Sequence, residues 1–121
     1  IDWIIAQTHR CACCSSSAGH DSDAGIRAEW LPLFDAYQVD LVVSGHGPGY
    51  QRSPRPVTTT DSGVFDTSQG TVHLVLGGGI AVFDLDPGTE AGGQTSITVT
   101  YYHEYTEFET FTLVRPVASK A

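Results

Sequence analysis

The chain has 121 residues, of which 40% are hydrophobic and 17% are charged, so it can build a modest core and is not a disordered chain. Six Lys and Arg residues against 14 Asp and Glu residues give a formal net charge of −8, which argues against general binding to a nucleic-acid backbone. The longest apolar run is about five residues, which is far too short to cross a membrane.

The start of the chain predicts that it is a fragment or a processed piece of a longer protein. There is no Met, and the sequence opens directly on the apolar segment IDWII. A partial fold leaves apolar sheet surface uncovered. We therefore expect self-association or a complementing N-terminal half, because large apolar patches rarely stay exposed.

The first half of the chain predicts one βαβ unit. Residues 3–7 and 39–43 form short apolar runs that are typical of buried strands. Between them we predict a helix that begins at Ala24 and is capped by Ser22 or Asp23. Such a crossover favours a parallel pair of strands.

The helix carries an apolar stripe and a proline. Four residues recur at helical spacing and are predicted to face the core: Ile26, Trp30, Leu33 and Tyr37. Pro32 has no backbone N–H and disfavours a helix interior. We therefore expect Leu31 to end this helix and Pro32 to open a second, short one.

The second half predicts an antiparallel β meander. Two strands at residues 71–76 and 80–85 are separated by three glycines. Residues 96–102 and 108–114 alternate apolar and polar side chains, as half-exposed strands do. The predicted fold class is thus mixed α/β (α+β), with a βαβ unit at residues 1–50, a loop at 51–70 and a meander at 71–121.

Two histidines follow the two predicted parallel strands. His9 comes at the end of the first strand and His46 directly after the second. Parallel neighbours end on the same sheet edge, where open α/β sheets bind ligands. Two imidazoles there can share a metal ion that polarises a phosphoryl oxygen or activates water. The alternative is that both are polar loop residues with no shared role.

The order of several motifs resembles the calcineurin-like metallophosphoesterases, in particular purple-acid-phosphatase-like bacterial members. WIIAQTH at residues 3–9 resembles the segment that ends in a metal-binding His. VDLVVSGH at residues 39–46 resembles the strand that leads into the family's Gly-His-x-His motif. GTVHLVLGGG at residues 70–79 resembles its late strand and glycine turn, and AVFDLDPG at residues 81–88 its terminal hairpin. The resemblance covers nearly the whole chain. It implies that this chain corresponds to the C-terminal half of a phosphoesterase of this family.

The resemblance implies a fold, a reaction and a set of ligands. The fold would be part of an α/β/β/α sandwich, and the reaction would be hydrolysis of a phosphate ester by two metal ions. His9 and His46 would ligate the same ion, which would be Fe, Zn or Mn. His20, in the loop after His9, would contact the phosphate or protonate the leaving group; alternatively, it is a solvated loop residue.

The chain departs from this family at ligand positions. Pro48 stands where the second His of Gly-His-x-His would lie, and Gln51 replaces the usual Glu. The chain contains no Asn, so the family's Gly-Asn-His motif is absent. A two-metal mechanism needs ligands for both ions, so we expect little catalysis by this chain alone. A non-catalytic binding or assembly module derived from the family is the alternative.

Three cysteines cluster close to His9. Cys11, Cys13 and Cys14 could form a soft-metal site with His9, because thiolates and imidazoles bind Zn and Cu(I). The simpler interpretation is a loop of small residues in which Cys packs as a small hydrophobe. An odd, clustered count does not indicate a disulfide framework.

For the remaining histidines we predict structural or solvated roles. His73 lies within a predicted strand and is expected to be packed. His103 stands in an acidic run with Glu104 and Glu107, which is expected to be a solvated hairpin end. Trp3 and Trp30 are predicted to lie in the core.

Overall fold

The computed structural model describes residues 3–11, 24–45, 50–52, 64–88 and 93–117. These residues form a mixed α+β structure made mostly of strands, with one α-helix and two four-stranded sheets, which confirms the predicted class. The elements in chain order are β1 (Ile5–Gln7), α1 (Ala24–Ala36), β2 (Leu41–Ser44), β3 (Tyr50–Arg52), β4 (Val64–Asp66), a 3-10 turn (Thr67–Gln69), β5 (Val72–Leu76), β6 (Ile80–Asp86), β7 (Gln94–His103) and β8 (Thr106–Pro116).

The first sheet has the strand order β1-β2-β5-β3. β1 and β2 are parallel, with Ile5 opposite Leu41, which confirms the predicted βαβ crossover. β5 lies parallel to β2 on the other side, with Val72 opposite Leu41. The assignment of β5 to the meander was therefore wrong. The glycines after β5 lead the chain from one sheet to the other and do not close a hairpin.

The second sheet has the strand order β4-β8-β7-β6. β6, β7 and β8 pair antiparallel in sequence order, so this part of the predicted meander is confirmed. β4 pairs parallel with β8. The predicted loop at residues 51–70 was too simple, because it contains part of β3, the whole of β4 and the 3-10 turn.

The main core lies between the two sheets. Its buried members come from β2, β4, β5, β7 and β8: Leu41, Phe65, Val72, Leu74, Ile97, Val99, Phe111 and Leu113. Side chains in a strand point alternately to the two faces, so the apolar residues of this core face inward. Thr98, Thr100, Thr110 and Thr112 alternate with them on the outer face, whereas Thr95 is buried. The alternation seen in the sequence therefore placed these residues correctly.

Helix α1 packs on the other face of the first sheet. Phe34 contacts Val42 of β2 and Val39, with Leu31 and Ala6 around them. Val42 points to the helix because its neighbours in β2 point to the main core. The described residues thus form three layers, α/β/β.

Pro32 lies inside one continuous helix, so the predicted break at Leu31 was wrong. A proline there removes the hydrogen bond to the carbonyl of Ala28. Both Pro32 and Ala28 are exposed, so water can hydrate that carbonyl. Packing of Leu31 and Phe34 against the sheet holds the helix together on either side of the proline.

The predicted core face of the helix was also wrong. Trp30, Leu33 and Tyr37 are 47%, 46% and 70% exposed, whereas Phe34 is buried. The helix is rotated so that Phe34 and Leu31 meet the sheet. Trp3, which was also predicted to be core, is partly buried and packs against the main core.

β3 closes one end of the sandwich against the second sheet. The Arg52 guanidinium donates from Nε to Glu109 Oε1 at 2.7 Å and lies 4.4 Å from the centre of the Phe65 ring. The Tyr50 ring stacks on Tyr101, with 4.2 Å between the ring centres. Burial raises the pKa of the Tyr50 hydroxyl well above its ordinary value, so this tyrosine stays protonated.

Candidate functional site

The candidate site lies at the carboxyl ends of the three parallel strands β1, β2 and β5. Parallel pairing brings these ends to a single sheet edge. This is the edge at which open α/β sheets bind ligands. The sequence predicted it from the two strands that precede His9 and His46.

Backbone hydrogen bonds continue the pairing of β1 and β2 beyond both strands. The N–H of Thr8 donates to the carbonyl of Val43 at 2.9 Å, and the N–H of Gly45 donates to the carbonyl of His9 at 2.9 Å. His9 and Gly45 are therefore direct neighbours across the strand ends. Gly45 immediately precedes His46 in the chain.

A cleft of about 460 Å³ opens at this edge. Residues from all three parallel strand ends line it: Gln7, Thr8, His9, Val43, Ser44, Gly45 and Leu76. The Thr8 hydroxyl donates to the carbonyl of Arg10 at 2.8 Å, which turns the chain just beyond His9. The lining thus combines the polar residues Gln7, Thr8, His9 and Ser44 with the apolar residues Val43 and Leu76.

The predicted site residues divide into one that is described and two that are not. His9 is exposed in the wall of the cleft. His46 and His20 lie outside the described residues, as does Pro48. Among the described residues, no group of three or more His, Cys, Asp or Glu side chains could hold a metal ion. Of the three predicted site residues, the described part of this edge therefore contains His9 alone.

Cys11 is almost fully buried and is disulfide-bonded, a state that the odd, clustered cysteine count did not indicate. A disulfide sulfur is not a thiolate, so Cys11 in this state is not a soft-metal ligand. Cys13 and Cys14 lie outside the described residues.

Asp40 organises the opposite ends of the same strands and was missed by sequence reasoning. Its carboxylate accepts from the backbone N–H of Ile4 at 2.8 Å, which ties the start of β1 to the start of β2. It also accepts from the Thr67 hydroxyl at 2.8 Å. A signal existed, because an acidic residue stands between the apolar Val39 and Leu41 at the start of a buried strand. Buried carboxylates need such partners.

The helical residues that the structure describes form no span of sufficient length and apolarity to cross a lipid bilayer.

Comparison with known proteins places a close relative of this region in a much longer chain. No protein-family model matches the sequence, and no solved structure matches it. Two curated proteins from two strains of Mycobacterium tuberculosis, both described as uncharacterized, are each 47% identical over 92 residues. The match covers 65% of this chain and 17% of either relative. The chain therefore spans less than a fifth of the length of these relatives.

Proposed function

We propose that this chain is the C-terminal part of a metal-dependent phosphoesterase of the calcineurin-like, purple-acid-phosphatase-like type. In this proposal His9 and His46 ligate one of two metal ions, which would be Fe, Zn or Mn. His20 contacts the phosphate or protonates the leaving group. The substrate of the whole enzyme is a phosphate ester.

The observation that carries the proposal is the hydrogen bond from the Gly45 N–H to the His9 carbonyl at 2.9 Å. Gly45 directly precedes His46 in the sequence, so His9 and the residue before His46 are direct neighbours across the strand ends. Imidazoles from neighbouring strand ends are suitable ligands for one Zn or Fe ion. The cleft of about 460 Å³ leaves room for a phosphate group beside them.

Charge supports a role for metal in this proposal. The chain carries a net charge of −8, which by itself repels a phosphate ester. A bound metal ion would supply local positive charge and polarise a phosphoryl oxygen. The Ser44 side chain in the cleft wall carries a hydroxyl, which can donate to a phosphate oxygen.

The same proposal makes the isolated chain incomplete. Pro48 offers no ligand atom at the position of the family's second His, and the chain has no Asn for the Gly-Asn-His motif. In this proposal the three described layers, α/β/β, are part of an α/β/β/α sandwich whose remaining layer lies outside them. Ligands for the second ion would come from outside this chain, so we expect no appreciable turnover by the chain alone.

A second candidate, a non-catalytic assembly module, is favoured by the open side of the sandwich. β1 is an edge strand of the first sheet, and β6 is an edge strand of the second sheet. Trp3, just before β1, donates from Nε1 to the Thr95 hydroxyl at 3.1 Å, and that hydroxyl donates to the Asp86 carbonyl of β6 at 2.6 Å. Among the described strands, the two sheet edges formed by β1 and β6 therefore lie on the same side. A further polypeptide segment could pair with both.

The soft-metal alternative requires chemistry at Cys11. Cys11 must first be reduced, because its sulfur is in a disulfide. Thiol labelling of the reduced chain with and without Zn separates this alternative from the phosphoesterase proposal, since metal-bound thiols resist labelling. Protection of the thiols by Zn with no effect of His46→Ala would favour the soft-metal site.

Metal analysis tests the proposed ligands. The unsubstituted chain and the variants His9→Ala, His46→Ala and His103→Ala are dialysed against Zn, Mn or Fe, and bound metal is measured by mass spectrometry. We expect both site variants to lose about tenfold or more in affinity, because mutating even an outer-shell partner of a ligand typically costs about 10–100-fold. The His103→Ala control should retain the metal. Equal metal content in all four proteins would contradict the ligand roles.

An activity assay tests the expected incompleteness. The chain is incubated with a chromogenic phosphomonoester and a phosphodiester in the presence of each metal. No turnover above the metal-only blank is expected. Robust turnover that disappears in His46→Ala would show that the missing ligands are not needed.

A further inference from the structure

A second cleft of about 520 Å³ lies beside the turn between β7 and β8. Two glycines, an aliphatic side chain, two tyrosines and one carboxylate line it: Gly78, Gly79, Ile80, Tyr102, Glu104 and Tyr105. It is separate from the site described above, whose lining on this part of the chain ends at Leu76. We propose that this second cleft, which we call the tyrosine cleft, binds a small organic cation such as an alkylated ammonium group. The proposal goes beyond the phosphoesterase proposal and does not rest on it.

The strand register builds the aromatic wall of the cleft. Ile80 of β6 is opposite Tyr102 of β7, so the two side chains lie side by side on the outer face of the second sheet. Both are accessible, at 67% and 36% exposure. Tyr105 is fully exposed at the tip of the hairpin, where its backbone has φ 66°. A left-handed conformation at a tyrosine is uncommon, and here it presents the ring at the mouth of the cleft.

The two glycines leave space in the tyrosine cleft because they carry no side chains. Gly78 has φ 74°, a conformation that side chains other than glycine rarely adopt. A Cβ at Gly79 would collide with the Tyr101 ring beneath it. Both positions therefore remain without side chains, and this opens space beside Ile80 and Tyr102.

A register shift brings a second acidic residue opposite Tyr102, next to the residues that line the tyrosine cleft. Between Tyr101 and Tyr102 the pairing with β8 slips by one residue, so that Glu107 is opposite Tyr102. Such a bulge redirects side chains, and it places Glu107 on the outer face. There its carboxylate accepts from the Thr110 hydroxyl at 3.0 Å. Glu104 in the cleft wall is 86% exposed in its side chain.

Charge and ring chemistry together select a cation. Among the described residues that line the cleft, one is acidic and none is Lys or Arg. Tyrosine faces attract cations through the ring quadrupole, and alkylated ammonium groups are the ligands most often held by groups of aromatic rings. An anionic ligand is disfavoured by Glu104 and Glu107. Because exposed cation–π contacts are weak, we expect dissociation constants in the millimolar range.

The experiment titrates the chain with tetramethylammonium chloride and follows the tyrosine ring signals by NMR. The uncharged tert-butanol, which has similar size and shape, is the matched ligand, and sodium chloride controls for ionic strength. We expect saturable shifts with tetramethylammonium and at least about threefold weaker binding of tert-butanol. Equal affinity for both ligands, or no saturable shift with the cation, would overturn the proposal.

Variants assign the site within the same experiment. Tyr102→Thr, Tyr105→Asn and Glu104→Gln should each weaken binding about two- to fivefold. Asn is chosen at position 105 because it tolerates the left-handed backbone. Tyr37→Ala removes an exposed tyrosine that directly follows α1 and should leave binding unchanged. Unchanged affinity in both tyrosine-cleft variants, with thermal midpoints showing that they are folded, would also overturn the assignment.

Discussion

Arg115 and Asp40 form a buried ion pair that joins the two sheets. Arg115 Nη1 lies 2.8 Å from Asp40 Oδ2 and 3.0 Å from Oδ1. Asp40 is 1% exposed and lies at the start of β2, whereas Arg115 lies near the end of β8. The same carboxylate also binds Ile4 and Thr67, so one side chain connects β1, β2, β8 and the 3-10 turn.

We predict that Asp40→Asn lowers the free energy of unfolding by about 3 kcal/mol or more, because it leaves the Arg115 charge buried without a counter-charge. Urea denaturation followed by circular dichroism measures the change. Asp84→Asn, at an exposed position of β6, is the matched control and should stay within about 0.5 kcal/mol. A similar small effect in Asp40→Asn would mean that this ion pair does not hold the sheets together.

We predict that Gly79→Ala destabilises the fold by about 1–3 kcal/mol, because the added methyl group overpacks the site held by the Tyr101 ring. Tyr101 has little freedom to move, since its hydroxyl donates to the Gly77 carbonyl at 3.2 Å and its ring stacks on Tyr50. Thermal unfolding measures the loss. Gly45→Ala is the comparison, because a Cβ there would meet only ordinary contacts at 3.7 Å and 3.8 Å. If both variants unfold at the same temperature, close packing of Gly79 against Tyr101 does not destabilise the Gly79→Ala variant.

We predict that His73 makes the chain less stable as the pH falls. His73 packs against Phe34, with 6.0 Å between ring centres, and burial lowers the pKa of the imidazole below its ordinary 6.5. The unfolded chain therefore takes up a proton near pH 6.5 while the folded chain does so only at lower pH. Between these two values the unfolded state binds more protons, so stability decreases with falling pH, by at most about 1.4 kcal/mol per pH unit.

The variant His73→Gln isolates this contribution to the pH dependence. Unfolding free energies of the unsubstituted chain and the variant are measured from pH 5 to pH 8. At pH 8 histidine is neutral in both the folded and the unfolded chain. The difference in unfolding free energy between the two proteins at this pH therefore reports packing alone. We expect the difference to shrink toward acidic pH as the unsubstituted chain loses stability. A difference that is constant across the range would show that burial of His73 has no linkage to protons.

We predict self-association through the edge strand β6. Val82 and Leu85 are 45% and 57% exposed, and β6 pairs with one neighbour in the described structure. An exposed apolar edge is a template for strand pairing. Sedimentation velocity should show a mass that rises with concentration. The double substitution Val82→Lys and Leu85→Lys should abolish this rise.

Lysines at one position in α1 and one directly after it provide the matched control for β6. Leu33→Lys with Tyr37→Lys changes the net charge equally and alters another exposed apolar surface. We expect this pair to leave the association unchanged. Equal loss in both pairs would assign the effect to charge, and a monomeric unsubstituted chain at all concentrations would contradict association through β6.

Sequence patterns predicted the strands well where one face of a strand is buried. In β7, Ile97, Val99 and Tyr101 are almost fully buried, as their alternation with threonines indicated. The parallel pair of β1 and β2 also followed from the helix between them. The strand ends that carry the candidate site were therefore predictable, and His9 lies at that edge.

Other features depended on contacts between distant residues. Trp30 and Leu33 have the spacing of a core face, but Phe34 makes the contact, because the sheet selects one of several apolar faces of α1. Gly77, Gly78 and Gly79 fit a hairpin turn as well as a crossing between sheets. The pairing of β5 with β2 decided between the two.

The features that the sequence by itself determined are local. They are a parallel βαβ unit, strands with alternating apolar and polar side chains, and histidines beside strand ends. These follow from side-chain periodicity and chain connectivity, which act over a few residues. Tertiary structure alone decided the partner of β5, the rotation of α1, the Asp40–Arg115 ion pair across 75 positions of sequence, and the tyrosine cleft. The physical reason is that burial and desolvation depend on which surfaces meet, and many pairings satisfy the same local pattern.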